Sequence, residues 1–172
     1  MISTMIHLPY GGGTQDPNTI IIHAMAEYII CDKATSEYYK DKKNLKIIPG
    51  IYHALRWLDV THLSAHCLIT PEGMNIRMRE DNEIAWHAKA HNIGTLGLEV
   101  LVPGEHTYPT FLKHIDTDYV SQWAYRAVKE QVKRWLDTWA IRNITTHHAI
   151  DPVRKKDPGK GFPMTDLLKE VS

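Results

Sequence analysis

Zinc at a catalytic centre takes three protein ligands from His, Cys, Asp and Glu and leaves its fourth position to water. In a chain of 172 residues with eleven histidines, the first question is where imidazoles can meet a carboxylate. His23 stands at the end of the apolar run Thr19-Ile20-Ile21-Ile22-His23-Ala24, His147 lies just past a short strand-like segment, and Asp157 sits in a Pro-Gly turn. Together they could offer two imidazoles and one carboxylate to one ion. Their spacing is not a compact motif of the HExxH kind, and three unrelated residues at strand ends and in a turn is the alternative. Glu99 is a second signal, because it interrupts the otherwise apolar Thr95-Leu96-Gly97-Leu98-Glu99-Val100-Leu101-Val102. A buried carboxylate costs free energy unless it is partnered or faces a cleft, which favours a functional role.

The elements that must position these residues follow from periodicity. Residues 19–24 are β-branched and continuously apolar, as in a strand covered on both faces. Residues 32–44 are charged and Tyr-containing and read as an exposed helix or loop insertion. A short helix is expected over 47–58, ending near Asp59, and a strand over 63–70. Pro71-Glu72-Gly73 supplies turn chemistry, so 74–78 should return as a hairpin partner. Another strand covers 95–102. The long helix spans about 117–140, capped by Asp116 or Thr117, with Val120, Trp123, Ala127, Val128, Trp135 and Trp139 as its core stripe. A strand over 142–146 and a helix over 164–171 close the chain. The alternation predicts one α/β or α+β domain, residues 1–172, on a mixed central sheet flanked by helices.

Composition narrows the partners. The chain is 43% hydrophobic, and its 20 Lys plus Arg balance 20 Asp plus Glu. No net charge steers it toward nucleic acid or an anionic membrane. Cys31 and Cys67 are too few for a disulfide framework and read as small buried thiols. The N-terminal residues lack a basic and an apolar signal region, and no later stretch reaches eighteen apolar residues. A monomer made in the cytoplasm, without membrane insertion, is the expectation.

Four segments resemble the amidase-2 family: IIIHAMAE, LSAHCLITPEGMNIRMRE, IAWHAKAHNIGTLGLEVLV and HHAIDPVRKKDPGKGFP. They stand in the family's order and cover most of residues 19–163. The last is the most specific, with a Lys eight residues and an Asp ten residues after its first His. The resemblance implies that His23, His147 and Asp157 bind zinc, with His148 structural beside them, and that Lys155 is the catalytic lysine. Some members carry a catalytic Tyr before the His of the second strand, where this chain has Ala65 before His66. That departure makes Glu99 the general base; His66 itself reads as a hydrogen-bonded sheet residue rather than a ligand. Trp86 and His87 match the cleft-lining WHAG segment as substrate contacts, although Lys89 replaces the usual Gly. His91 and Asn92 would be rim contacts.

The activity so implied is zinc-dependent hydrolysis of the amide bond between N-acetylmuramic acid and L-alanine in peptidoglycan. A phage endolysin, which needs a holin or similar help to reach the wall, is the favoured form. A cytosolic recycler of anhydro-muropeptides is the second. A non-catalytic peptidoglycan-binding module is a third reading, and the complete ligand set speaks against it.

Overall fold

The computed structural model describes residues 3–30 and 49–172. The insertion expected at 32–44, and Cys31, lie outside the described residues. Among those described, the strands are β1 (Ser3–Met5), β2 (Gly11–Thr14), β3 (Thr19–Ile30), β4 (Cys67–Ile69), β5 (Asn75–Arg77), β6 (Glu83–Ala85), β7 (Thr95–Thr107) and β8 (Asn143–Thr146). The helices are α1 (Pro49–Val60), α2 (Tyr108–His114), α3 (Gln122–Thr138), α4 (His147–Ile150) and α5 (Met164–Val171), with a 3-10 turn at Lys89–His91. Six strands form one sheet in the order β1-β5-β4-β7-β3-β8, and β2 pairs with β6 apart from it. Only β4 and β5 run antiparallel within the large sheet, so the sheet is mixed, as expected from the sequence.

The two faces of this sheet follow from strand alternation. Ile20, Ile22, Ala24 and Ala26 of β3 and Leu96, Leu98, Val100 and Val102 of β7 point to one side, into a core shared with α3 and α5. Leu68 and Leu101 face the other side, where Ala54 and Leu58, one turn apart on α1, cover them. Both faces of the central strands are thus buried, which is why their sequences read as unbroken apolar runs. Cys67 is buried and free.

Several elements differ from expectation. Strands β3 and β7 run on past residues 24 and 102 because a register shift absorbs Pro103: Ala26 pairs with Val102, but Tyr28 pairs with Glu105. A proline has no N–H for the ladder and is tolerated at such a bulge, and here Glu27 closes it by accepting from the Gly104 N–H at 2.6 Å. The long helix starts at Gln122, not near 117, because Ser121 supplies the cap, its Oγ accepting from the Ala124 N–H at 3.0 Å. Its buried stripe is Ala124, Ala127, Val128, Gln131, Val132 and Trp135. Trp123, expected in the core, lies beside that stripe and is 56% exposed. Strand β1, strand β2 and helix α2 were not foreseen, and the strand expected over 63–70 is confined to Cys67–Ile69.

Trp135 is fully buried in the α3 core. Truncation to Ala should destabilise the protein by about 3–5 kcal/mol, the usual cost of emptying such a site, measured by chemical denaturation. A loss below about 1 kcal/mol would mean that the α3 packing is not as described.

Candidate active site

Register brings the site together. In the parallel pairing of β3 with β7, His23 lies opposite Glu99. On the other side of β3, Ile22 pairs with Thr146, the last residue of β8. His147, the next residue, therefore stands beside His23. Thr146 ends the strand by capping α4, its Oγ1 accepting from the Ala149 N–H at 3.1 Å. This turn buries His147 and leaves His148 exposed.

Asp157 completes the group from a loop fixed by hydrogen bonds. The His148 N–H donates to the Asp157 carbonyl at 2.8 Å, and Nδ1 of His148 meets the Lys155 carbonyl at 2.7 Å. The Tyr119 hydroxyl donates to the Pro158 carbonyl at 3.0 Å. Gly159 has φ of +75°, and a Cβ there would fall 2.3 Å from the Ile115 carbonyl oxygen, so the loop can pass this close only with glycine.

Three atoms of the kind that ligate metals converge as a result. Nδ1 of His23 and Nδ1 of His147 are 2.8 Å apart. Oδ2 of Asp157 lies 3.4 Å from the first and 3.0 Å from the second. The three residues are 1%, 2% and 8% exposed. Glu99 is also buried, with Oε1 at 4.0 Å from Nδ1 of His23 and Oε2 without a hydrogen-bond partner among the described residues. A cleft of about 220 Å³ opens over this group. Lys155 and Glu99 line it, and Ile29, Trp57 and Phe111 give it an apolar wall.

Burial lowers the His23 pKa to about 4, against the opposing pull of Asp157. Burial also pushes at the Asp157 carboxyl, but the rings of His147 and His23 beside it outweigh burial and hold the group well below the usual carboxylate range. A neutral imidazole beside an ionised carboxylate is the protonation state that metal ligation requires. Glu99 is raised to about 8 by burial and by the Asp157 charge, with Lys155 acting in the opposite sense. A carboxyl so poised can exchange a proton near neutrality. The donor set, two imidazoles and a carboxylate within reach of one point, fits zinc, whose open sites use such ligands.

The model of the N-acetylmuramoyl-L-alanine amidase family, amidase-2, matches residues 13–160. The chain belongs to the amidase-2 family. The fold agrees. An endolysin N-acetylmuramoyl-L-alanine amidase, LysCS from Clostridium intestinale URNW, is similar at 16% identity and TM-score 0.64, covering 98% of this chain and 94% of that one. A selenomethionine derivative of AmpD is similar at 20% identity and TM-score 0.67, covering 99% and 94%. A Drosophila peptidoglycan recognition protein, PGRP-SD, is similar at 17% identity and TM-score 0.55, covering 93% and 87%. No curated protein sequence matches the chain.

The residues matched to the amidase-2 motifs separate in space. His23, His147, Asp157, Glu99 and Lys155 share the cleft. His87 also reaches it, but as a buried ring whose Nδ1 is 2.9 Å from Nε2 of His23. Trp86 is 44% exposed and lies outside the cleft lining. Asn92 accepts from the His87 and Ala88 N–H groups at 3.0 and 2.7 Å, so it shapes the loop from within. Tyr119 and Thr95 were not singled out in the sequence: Tyr119 stands outside the four matched segments, and Thr95 reads there only as the start of a strand. Among the described residues, no helix is long and apolar enough to cross a membrane.

His66 lies between β7 and the β6 turn. Its Nδ1 accepts from the Gly97 N–H at 3.0 Å, and its Nε2 donates to the Glu83 carbonyl at 2.9 Å. Burial lowers its pKa from 6.5 to about 4. The folded state therefore keeps it neutral where the unfolded chain takes up a proton, so stability should fall as pH drops from about 6.5 to 4. The loss approaches roughly 3 kcal/mol at the lower end. Unfolding free energies across this range for the unaltered protein and His66→Gln test it: the variant should show the shallower slope, and equal slopes would contradict the assignment.

Proposed function

We propose that the protein is a zinc-dependent N-acetylmuramoyl-L-alanine amidase that cuts peptidoglycan between N-acetylmuramic acid and L-alanine, acting as an endolysin. The observation that carries this reading is the meeting of His23 Nδ1, His147 Nδ1 and Asp157 Oδ2 within 3.4 Å of one another beneath a cleft. His23, His147 and Asp157 would hold the metal. Bound there, zinc supplies a Lewis acid for the lactyl carbonyl and lowers the pKa of water.

The remaining steps belong to the chain's own groups. Glu99 takes the proton from the attacking water and delivers it to the departing L-alanine nitrogen, a transfer its raised pKa suits. Lys155 presents its ammonium group to the oxygen on which negative charge develops. The apolar wall at Ile29, Trp57 and Phe111 limits water around these charges and so strengthens them. Trp86 and His87 are the substrate contacts that the WHAG resemblance implies. Of the two, His87 lines the cleft, whereas Trp86 is 44% exposed and outside its lining.

The endolysin role draws on the family match and on neighbours such as LysCS that carry that name. Recycling of anhydro-muropeptides is the competing use of the same chemistry. Turbidity loss with intact sacculi supports the lytic role, whereas cleavage of small anhydro-muropeptides alone would assign recycling.

Asp157→Ala and His23→Ala should each abolish zinc binding and activity together, measured by metal analysis and by mass spectrometry of a peptidoglycan digest. Full activity in a metal-free Asp157→Ala protein would refute the mechanism. Glu99→Gln should retain zinc yet turn over about a hundredfold more slowly, the scale of general-base catalysis. Turnover equal to that of the unaltered protein would remove Glu99 from its role.

A further inference from the structure

His87 is more deeply placed than a substrate contact needs to be. Its ring lies against Gly97, where a Cβ would fall 2.6 Å from two of the ring atoms. Gly97 is one step along the same face of β7 from Glu99, and Ile21, its register partner, is one step from His23. The missing side chain at residue 97 therefore makes the space in which the His87 ring meets His23.

The direction of the hydrogen bonds through this ring can be deduced from its far end. Oγ1 of Thr95 lies 2.7 Å from the His91 carbonyl and 3.0 Å from the Asn92 carbonyl. Carbonyl oxygens only accept, so the single hydroxyl proton of Thr95 is directed to them. Toward Nε2 of His87, at 3.1 Å, Thr95 can then only accept. Nε2 of His87 carries the proton, and Nδ1 of this neutral ring is bare. That bare Nδ1 faces Nε2 of His23 at 2.9 Å, which must donate.

We infer that Thr95 and His87 are positioning residues that fix the tautomer of His23, keeping its Nε2 protonated and its Nδ1 free for the metal. The inference rests on the metal reading above. His147 has no equivalent support, because its Nε2 is without a hydrogen-bond partner among the described residues. The relay therefore acts on the ligand supplied by β3. Partners of this kind alter metal affinity by about ten- to a hundredfold.

Zinc affinity by chelator competition, together with nitrogen-15 NMR of the histidine rings in the zinc-loaded protein, tests this without reference to activity. Thr95→Val and His87→Leu should weaken zinc binding by about ten- to a hundredfold. His87→Asn, whose amide oxygen can replace Nδ1 as acceptor, should restore most of the affinity. The spectrum of the unaltered protein should show His87 protonated on Nε2, a readout that survives if a variant fails to fold. Zinc binding unchanged in both Thr95→Val and His87→Leu, or a His87 protonated on Nδ1, would overturn the relay while leaving the metal site standing. An unaltered protein that binds no zinc would remove the metal reading and the relay together.

Discussion

The parallel register of β7, β3 and β8 is the constraint on which the site depends. It sets Glu99 opposite His23 and ends β8 one residue before His147. Side chains alternate between the two faces of a sheet, so a slip of one residue in β3 would carry His23 into the α3 core and expose the positions of Ile20 and Ile22 to the wrong face. Each fully buried isoleucine contributes about 1.5–3 kcal/mol of apolar burial, and Ile20 and Ile22 are both completely buried. Moving a charged or hydrogen-bonding group into that core would add a desolvation cost of several kcal/mol. Apolar packing on the far face thus holds His23 on the near one.

The second half of the site is less regular and is fixed by backbone hydrogen bonds. Asp157 comes from a loop in which His148, Tyr119 and Gly159 each restrain a neighbouring peptide group. These contacts leave the carboxylate little freedom to relax away from the two imidazoles. An ionised carboxylate beside two neutral rings leaves a net negative charge in a buried place, and a cation at the point of convergence would compensate it. Glu99 feels the same surroundings. Its carboxyl is raised because burial and the Asp157 charge act in one direction.

Much of this was legible in the sequence where alternation or motif speaks directly. The run ending at His23 announced a strand covered on both faces, and Glu99 stood out because it broke such a run. The choice between His147 and His148 was different: the family spacing favoured His147, and the physical reason is that Thr146 caps α4 and turns only the first of the pair inward. Thr95 and Tyr119 carried no signal, because both hydroxyls donate to backbone carbonyls that no side-chain pattern encodes, and the contact of Thr95 with the His87 ring follows only from the fold. Strand β1 was missed since its three residues are exposed and show no apolar period. The helix start was placed too early because Asp116 and Thr117 are good caps, but the chain there is still leaving α2 and only Ser121 completes a cap onto α3.

Anomalous diffraction at the zinc absorption edge, from crystals grown with zinc, tests the central claim most directly. The account predicts one strong peak at about 2.0–2.2 Å from Nδ1 of His23, Nδ1 of His147 and Oδ2 of Asp157. A peak bound elsewhere, or none at these three atoms at saturating zinc, would contradict it.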